Sequence, residues 1–111
     1  MQLNTGRYMS IIVFGKIKGT YDKSNHTYFS DRDIRHWFHK FNGLGLSFSL
    51  IMRLRKLGCK RVCFNYKRKD GGEDLYIADI DDFVEKGHRY RNTEHDVQFI
   101  LSKKDFQVIQ G

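Results

Sequence analysis

The first third of the chain has the hydrophobic pattern of a strand pair. Residues 8–18 contain the continuous apolar run Ile11-Ile12-Val13-Phe14, which is typical of a strand covered on both faces. A run of turn-forming residues at 22–25 separates it from a short apolar segment at 26–29. The pattern predicts one strand over 8–18 that pairs with a second strand over 26–29.

Apolar residues with helical spacing follow this strand pair. Between positions 31 and 41 they recur at i, i+3, i+4 and i+7, as Ile34, Trp37, Phe38 and Phe41. This spacing predicts one buried stripe on a helix over 31–41. Ser30 is the expected cap of this helix, and Asn42-Gly43 its expected end.

A second helix is predicted from Ser47, a capping residue, to Leu57, with Gly58 as its stop. Its apolar stripe consists of Leu50, Ile51, Leu54 and Leu57. The glycine-rich segment 42–46 lacks the Lys-Ser/Thr ending of a phosphate-binding loop. We therefore interpret it as a tight connection between the two helices.

The period changes from helical to strand-like after position 60. Residues 60–67 alternate apolar and polar, the turn Asp70-Gly71-Gly72 follows, and residues 75–80 return as an antiparallel strand. Asp82 is the expected cap of a short helical turn that ends at Gly87, and residues 97–101 form a further strand. This order predicts an α+β fold, with two short helices on one face of a mainly antiparallel sheet.

Composition places the chain among globular proteins. Its 111 residues suit one domain, 1–111, and with 40% hydrophobic residues it is too apolar for a disordered segment. The longest apolar run has four residues, so we expect no membrane span and no signal-peptide core. Two cysteines make no disulfide framework, and we expect a cytoplasmic protein.

The charge balance favours an anionic partner. Lys and Arg number 20 against 13 Asp and Glu, a formal net charge of +7, which attracts polyanions. We predict a non-enzymatic domain that binds DNA or RNA, with Tyr66 and Tyr90 as stacking residues. The basic residues expected to contact phosphates are Arg32, Arg35, Lys40, Lys60, Arg61, Lys67, Arg68, Lys69, Arg89 and Arg91. Their footprint would join the first helix to the 60–69 segment.

Two other functions fit the same sequence. A protein-interaction module, such as a phage or mobile-element regulator or inhibitor, would present these cations to an acidic partner surface. A small Mg²⁺-dependent nuclease would use Asp79 and Asp81, which share one side of a strand if that strand reaches so far. No Asp/Glu-x-Lys pattern follows these acids.

The sequence predicts no metal site and no cofactor. His36 and His39 share a helix face, but Cys59 and Cys63 fall where a helix ends and a strand begins. That spacing is unlike the cysteine pairs of structural zinc sites. The oligomeric state stays open at this point.

Overall fold

The computed structural model describes residues 9–14, 17–91 and 97–111. The strands are β1 (Met9–Phe14), β2 (Ile17–Asp22), β3 (Thr27–Ser30), β4 (Gly43–Ser47), β5 (Arg61–Lys67), β6 (Glu73–Asp79), β7 (His88–Arg91), β8 (Val97–Ser102) and β9 (Gln107–Gln110). The helices are α1 (Arg35–Phe41), α2 (Phe48–Lys56), α3 (Ile80–Glu85) and a 3₁₀ turn at Lys103–Asp105.

The strands form two sheets. The larger sheet has the order β1-β2-β3-β5-β6-β9, and within the described ranges only β3 and β5 run parallel. The smaller sheet has the order β4-β8-β7 and is antiparallel. Since α1 and α2 pack against the sheet, the predicted α+β class with a mainly antiparallel sheet is confirmed.

One hydrophobic core lies between the larger sheet and the helices. Tyr28, Val62 and Phe64 of the sheet are fully buried, and they join Ile34 and Leu54 of the helical layer in one cluster. Each such side chain contributes about 1.5–3 kcal/mol by leaving water. Most of both predicted apolar stripes therefore faces the core, whereas Leu57 is 44% exposed and Trp37 and Phe41 are half-buried.

The prediction of one strand over 8–18 is wrong. The described part of this segment forms two antiparallel strands, β1 and the start of β2, in which Val13 lies opposite Lys18. Coverage on both faces is also wrong, because Ile12 is buried but Ile11 and Val13 are 68% and 54% exposed. Ile11 and Val13 are exposed because β1 is an outer strand of the sheet and only one of its faces contacts the core. Tyr8 lies outside the described residues. The predicted pairing of 8–18 with 26–29 is also wrong, because β3 pairs with residues 19–22, which follow the predicted strand.

The first helix starts later than predicted. The Ser30 hydroxyl accepts a hydrogen bond from the Arg32 amide at 3.1 Å, and the Asp33 carboxylate accepts one from the Arg35 amide at 3.2 Å. These local bonds hold residues 31–34 in turns that compete with helix. Ser30 is therefore not the cap of α1. The predicted end is confirmed, because Asn42 adopts the left-handed conformation at φ 52°.

The interpretation of 42–46 as a connection is wrong, because Gly43–Ser47 is a buried strand paired with β8. Tertiary contacts decide this. A Cβ at Gly43 would lie 2.4 Å from the Leu101 carbonyl oxygen, and one at Gly45 would lie 3.1 Å from the Trp37 ring. Glycine thus lets β8 and α1 approach the strand closely.

The remaining elements match the sequence in part. The Ser47 hydroxyl caps α2 by accepting from the Leu50 amide at 3.1 Å, and Gly58 ends that helix region at φ +89°. The strands β5, β6 and β8 occur where expected, whereas β7 and β9 were not predicted. The role of Asp82 is corrected, because α3 begins at Ile80 with Asp79 in the cap position. No helix in the described ranges has the length and apolar content needed to cross a bilayer.

Candidate nucleic-acid interface

Three aromatic side chains form a row where α1 meets the smaller sheet. The ring centroids of Trp37 and Phe41 are 5.2 Å apart, and those of Phe41 and Tyr90 are 5.8 Å apart. Trp37 and Phe41 are half-buried, and Tyr90 is 47% exposed. The row thus presents ring surface to solvent at its Tyr90 end.

Local geometry explains why these rings meet. Trp37 and Phe41 are one helical turn apart, and the Trp37 ring packs over Gly45 of β4. Across the smaller sheet, Gly45 lies opposite Ile100 and Ile100 opposite His88, so all three share one face. Because side chains alternate along a strand, Tyr90 lies on that face with His88.

Basic side chains border this row. The Lys40 Nζ lies 5.3 Å from the Phe41 ring centroid, and the Lys103 Nζ lies 5.3 Å from the Phe38 ring centroid. The Lys103 amide donates to the Asn42 carbonyl at 2.9 Å, which fixes the 3₁₀ turn against the end of α1. Both ammonium groups therefore sit near the helix C-terminus, where cations are favoured.

We call this region the α1–β7 surface and define it by Trp37, Lys40, Phe41, His88, Tyr90 and Lys103. A cavity of about 250 Å³ opens between Phe41 and His88 and is completed by Asn42, Ile100 and Ser102. Among the residues that the structure describes, no carboxylate lines this cavity. The described lining of the cavity is therefore free of acidic side chains, and Asp105 lies in the same 3₁₀ turn as Lys103.

A second pocket lies at the other end of α1. Ser30, Asp31, Arg32, Asp33, Arg35, Asn65 and Lys67 surround a volume of about 280 Å³. The pocket brings Arg32 and Arg35 next to Lys67, together with the carboxylates of Asp31 and Asp33. Arg35 is bound to Asp33 at 2.7 Å, and this contact lowers the pKa of the Asp33 carboxyl to about 2.

Arg32 acts mainly as a structural residue in this pocket. Its Nη1 donates to the Gly45 carbonyl at 2.7 Å, and its guanidinium lies 5.2 Å from the Trp37 ring centroid. Burial lowers the pKa of the guanidinium, which shows that it has lost much of its hydration. It ties α1 to β4 and leaves Arg35 and Lys67 as the exposed cations of the pocket.

Lys60 and Arg61 do not join these residues. Arg61 begins β5 and Lys60 directly precedes it, whereas Lys67 ends the strand about 20 Å away. Both line an open groove of about 910 Å³, together with Arg55, Gly58, Cys59, Asp79, Ile80, Asp81, Asp82 and Glu85. We call it the mixed-charge groove, because its three cations face four carboxylates, one of which, Asp81, is 2.7 Å from Arg55.

The hairpin after β5 offers fewer free cations than its sequence indicates. Arg68 is bound to Asp70 at 3.1 Å and to Asp74, and its Nη2 donates to the Gly111 carbonyl at 3.1 Å. It is therefore a structural link between the turn and the chain end. Lys69 is exposed.

The remaining predicted residues are dispersed. Tyr66 is half-buried between Phe38, at 5.6 Å, and Tyr76, at 6.2 Å, which leaves little ring surface for a base. Arg89 is exposed but lies on the opposite side of β7 from Tyr90, opposite Phe99. Arg91 ends β7, and its side chain lies outside the described residues.

The acids proposed for a nuclease are not arranged on one strand. Asp79 is the last residue of β6, whereas Asp81 lies in α3 and accepts two hydrogen bonds from Arg55, at 2.7 and 3.0 Å. The described residues contain no group of three His, Cys, Asp or Glu side chains positioned to hold a metal ion.

The two thiols are buried. Burial raises the pKa of both Cys59 and Cys63 to about 11, which keeps them protonated at neutral pH. Neither thiol is therefore activated as a nucleophile.

Four residues of the α1–β7 surface were absent from the sequence-based list: Trp37, Phe41, His88 and Lys103. The helical spacing assigned Trp37 and Phe41 to the core, because a stripe does not show that its edge remains half-exposed. His88 and Lys103 depend on β7 and on the 3₁₀ turn, and four-residue strands give a weak pattern. The glycines of 42–46 were the available signal, since isolated glycines in a strand mark a close approach.

Comparison with protein-family models, with curated proteins and with solved structures found no match for this chain.

Proposed function

We propose that this protein is a non-enzymatic nucleic-acid-binding domain that uses the α1–β7 surface. The observation that carries the proposal is the aromatic row Trp37–Phe41–Tyr90 with Lys40 over the Phe41 ring, and with Lys103 over Phe38 of the same helix. Aromatic faces stack on unpaired bases, and lysines neutralise the phosphates on either side of them. The net charge of +7 supports attraction of a polyanion from a distance.

The pocket at the start of α1 extends this surface. Its exposed cations, Arg35 and Lys67, are separated from Lys40 by the length of α1, about 10 Å for seven residues. His36 and His39 lie exposed between the two ends of the helix. A strand of nucleic acid along α1 would thus meet Lys67 and Arg35 first, and Lys40 and Lys103 last.

Binding to labelled single- and double-stranded DNA and RNA over a salt series tests the proposal. Since Arg35 is paired with Asp33, Lys67, Lys40 and Lys103 neutralise three phosphates, which give a slope of log K against log salt of about −2 for single strands and about −2.7 for a duplex. We expect tighter binding to single strands, because Tyr90 requires an unstacked base. Absence of binding at low salt would contradict the proposal.

Weak binding to nucleic acid at every salt concentration would instead support the protein-interaction module. The complex with that protein partner would then lose less affinity with salt than a row of phosphate contacts does. The same cations would then meet an acidic protein surface. We place either function in the cytoplasm, where buried, unpaired thiols such as Cys59 and Cys63 are ordinary.

A further inference from the structure

The face of the larger sheet that points away from the helices exposes apolar residues on its outer strands, where Ile11, Val13 and Ile109 are at least 49% exposed, whereas the central Cys63 is 4% exposed. We call this face of the sheet the open face. Cross-strand pairing places Ile11 beside Thr20, Thr20 beside Phe29, Phe29 beside Cys63 and Cys63 beside Ile77. A neighbouring row contains Val13, Leu75 and Ile109. The open face thus carries apolar side chains from its first strand to its last.

Alternation along each strand fixes this orientation. Ile12, Tyr28 and Tyr76 are buried in the core, so the residues beside them in sequence point to the open face. Ile11, Val13 and Ile109 are at least 49% exposed there. Among the described residues, the buried apolar side chains of the helices, and Leu44, Leu46 and Leu101 of the smaller sheet, belong to the core on the other side.

The open face differs from the rest of the molecule in charge. Its strands contribute the cations Lys18, Arg61 and Lys67 and the carboxylates of Asp22, Glu73 and Asp79, which balance. Two of the pairs lie directly opposite each other across β5 and β6, namely Arg61 with Asp79 and Lys67 with Glu73. The excess of +7 therefore resides elsewhere in the chain.

We infer that the open face is the interface with a second copy of this chain. An apolar centre with both signs of charge around it is complementary to itself, as a two-fold interface requires. Two copies that carry +7 each approach most easily through faces whose own charges cancel. Lys67 borders both the open face and the pocket at the start of α1, but the aromatic row that carries the nucleic-acid proposal contributes nothing to the open face, so the two proposals are tested separately.

The size of the open face sets the expected affinity between the two copies. The six strands of the larger sheet are separated by five spacings of about 4.8 Å, and each strand is about 20 Å long. The open face therefore has an area of roughly 500 Å². A standard interface buries about 800 Å² on each partner. We therefore expect a reversible dimer whose dissociation constant is of the order of micromolar.

Sedimentation velocity on the full chain, from about 1 to about 500 µM, tests the inference. The wild-type protein is expected to shift from monomer to dimer across this range. The variant Ile11→Lys with Ile109→Lys places two charges on the open face and is expected to stay monomeric. Both positions lie on outer strands and are already exposed, so the fold should persist, and circular dichroism checks it.

A matched control separates the open face from the strand edges. Ser10→Lys with Val108→Lys adds the same charges to β1 and β9 on their core-side faces, at positions that are also exposed. This control is expected to dimerise like the wild type. If both variants are monomeric, the copies pair through their edge strands, and the inference fails.

Three further outcomes have defined meanings. A wild type that stays monomeric at every concentration overturns the inference, and so does a dimer that both double variants retain. If the double variant on the open face does not fold, Ile109→Lys alone, at a site 49% exposed, must still weaken the dimer at least about tenfold relative to Val108→Lys. An equal effect of these two single substitutions would also overturn it.

Discussion

The α1–β7 surface and the mixed-charge groove both present cations. The two regions differ in the number of carboxylates that lie close to these cations. In the α1–β7 surface, Lys40 and Lys103 lie over aromatic rings. In the groove, Arg55, Lys60 and Arg61 share their space with four carboxylates from β6 and α3. A phosphate backbone is attracted to the first arrangement, whereas the second already contains its own anions.

This difference shows that basic residues that are close together in the sequence do not necessarily form a basic surface in the folded protein. Lys60 and Arg61 are neighbours of Lys67 along the chain, but β5 extends them to opposite ends of the sheet. At the end where they lie, antiparallel pairing brings Asp79 directly opposite Arg61. The partner strand therefore decides whether a cation remains available.

Charge reversal is expected to separate the two regions most strongly. The variant Lys40→Glu with Lys103→Glu removes two phosphate contacts and adds two repulsions, and should weaken nucleic-acid binding about fiftyfold. The matched variant Lys56→Glu with Lys60→Glu changes the net charge equally at exposed positions on and beside the groove. Its loss should stay below about threefold, because screening limits charges beyond about 8 Å.

Fluorescence anisotropy with one labelled single strand measures both variants, and thermal melts confirm that both fold. Equal losses in the two variants would mean that only net charge matters, and the α1–β7 surface would lose its special role.

Removal of one ring is expected to have the next largest effect. Tyr90→Ala takes away the exposed end of the aromatic row and should weaken single-strand binding about tenfold, since stacking contributes about 1–3 kcal/mol per base. Phe48→Ala is the matched control, because Phe48 is 42% exposed and contacts Phe99 on the other side of the smaller sheet. Its affinity should remain within about twofold. A larger loss in the control than in Tyr90→Ala would contradict the aromatic row.

Removing carboxylate charges from the mixed-charge groove tests the same comparison by a change that should increase affinity for nucleic acid. Asp79→Asn, Asp81→Asn and Asp82→Asn together free Arg55 and leave Lys60 and Arg61 without these nearby carboxylates. We expect affinity for nucleic acid to rise about fivefold at low salt. Unchanged affinity would show that the carboxylates do not exclude a polyanion. The same variant addresses the nuclease alternative, because Mg²⁺-dependent cleavage by the wild type that disappears in the variant would favour it.

The smallest expected effect concerns Cys59, which lines the groove, and Cys63. Their folded pKa of about 11 exceeds the unfolded value of about 8.5. The unfolded state therefore loses its protons first, and stability falls as pH rises from about 8.5 towards 11. Between pH 8 and 10 the loss is of the order of 1 kcal/mol per thiol.

Denaturant titrations of the wild type and of Cys59→Ala with Cys63→Ala at both pH values measure this loss. The variant should show the flatter pH dependence. Parallel curves would contradict the assigned burial of the thiols.

The strands with a clear period were predictable, and those defined by tertiary contacts were not. Alternation and a turn predict β5 and β6. In contrast, β4 depends on the approach of Trp37 and Leu101 to two glycines, which no local pattern contains. The exposure of Ile11 follows from the outer position of β1 in the sheet. This position could not be predicted, because the hydrophobic pattern does not determine the order of strands in a sheet.

The candidate site was predictable to a similar degree. Arg35 and Lys40 follow from the polar face of a helix, because helical spacing fixes which residues share that face. The binding of Arg68 to Asp74 and to the Gly111 carbonyl depends on residues from other elements, so sequence reasoning overestimated the hairpin. The aromatic row was not predicted, because an amphipathic stripe shows which side of a helix is buried but not which residues at its edge remain exposed.

Chemical-shift mapping of the isotope-labelled protein with a short single-stranded oligonucleotide tests the proposed interface most directly. If the α1–β7 surface binds nucleic acid, the largest saturable shifts will occur at residues 37–41, 88–90 and 103. Residues 55–61 and 79–85, which line the mixed-charge groove, will change little. Saturable shifts centred on the groove, or none in either region, would contradict the proposed interface.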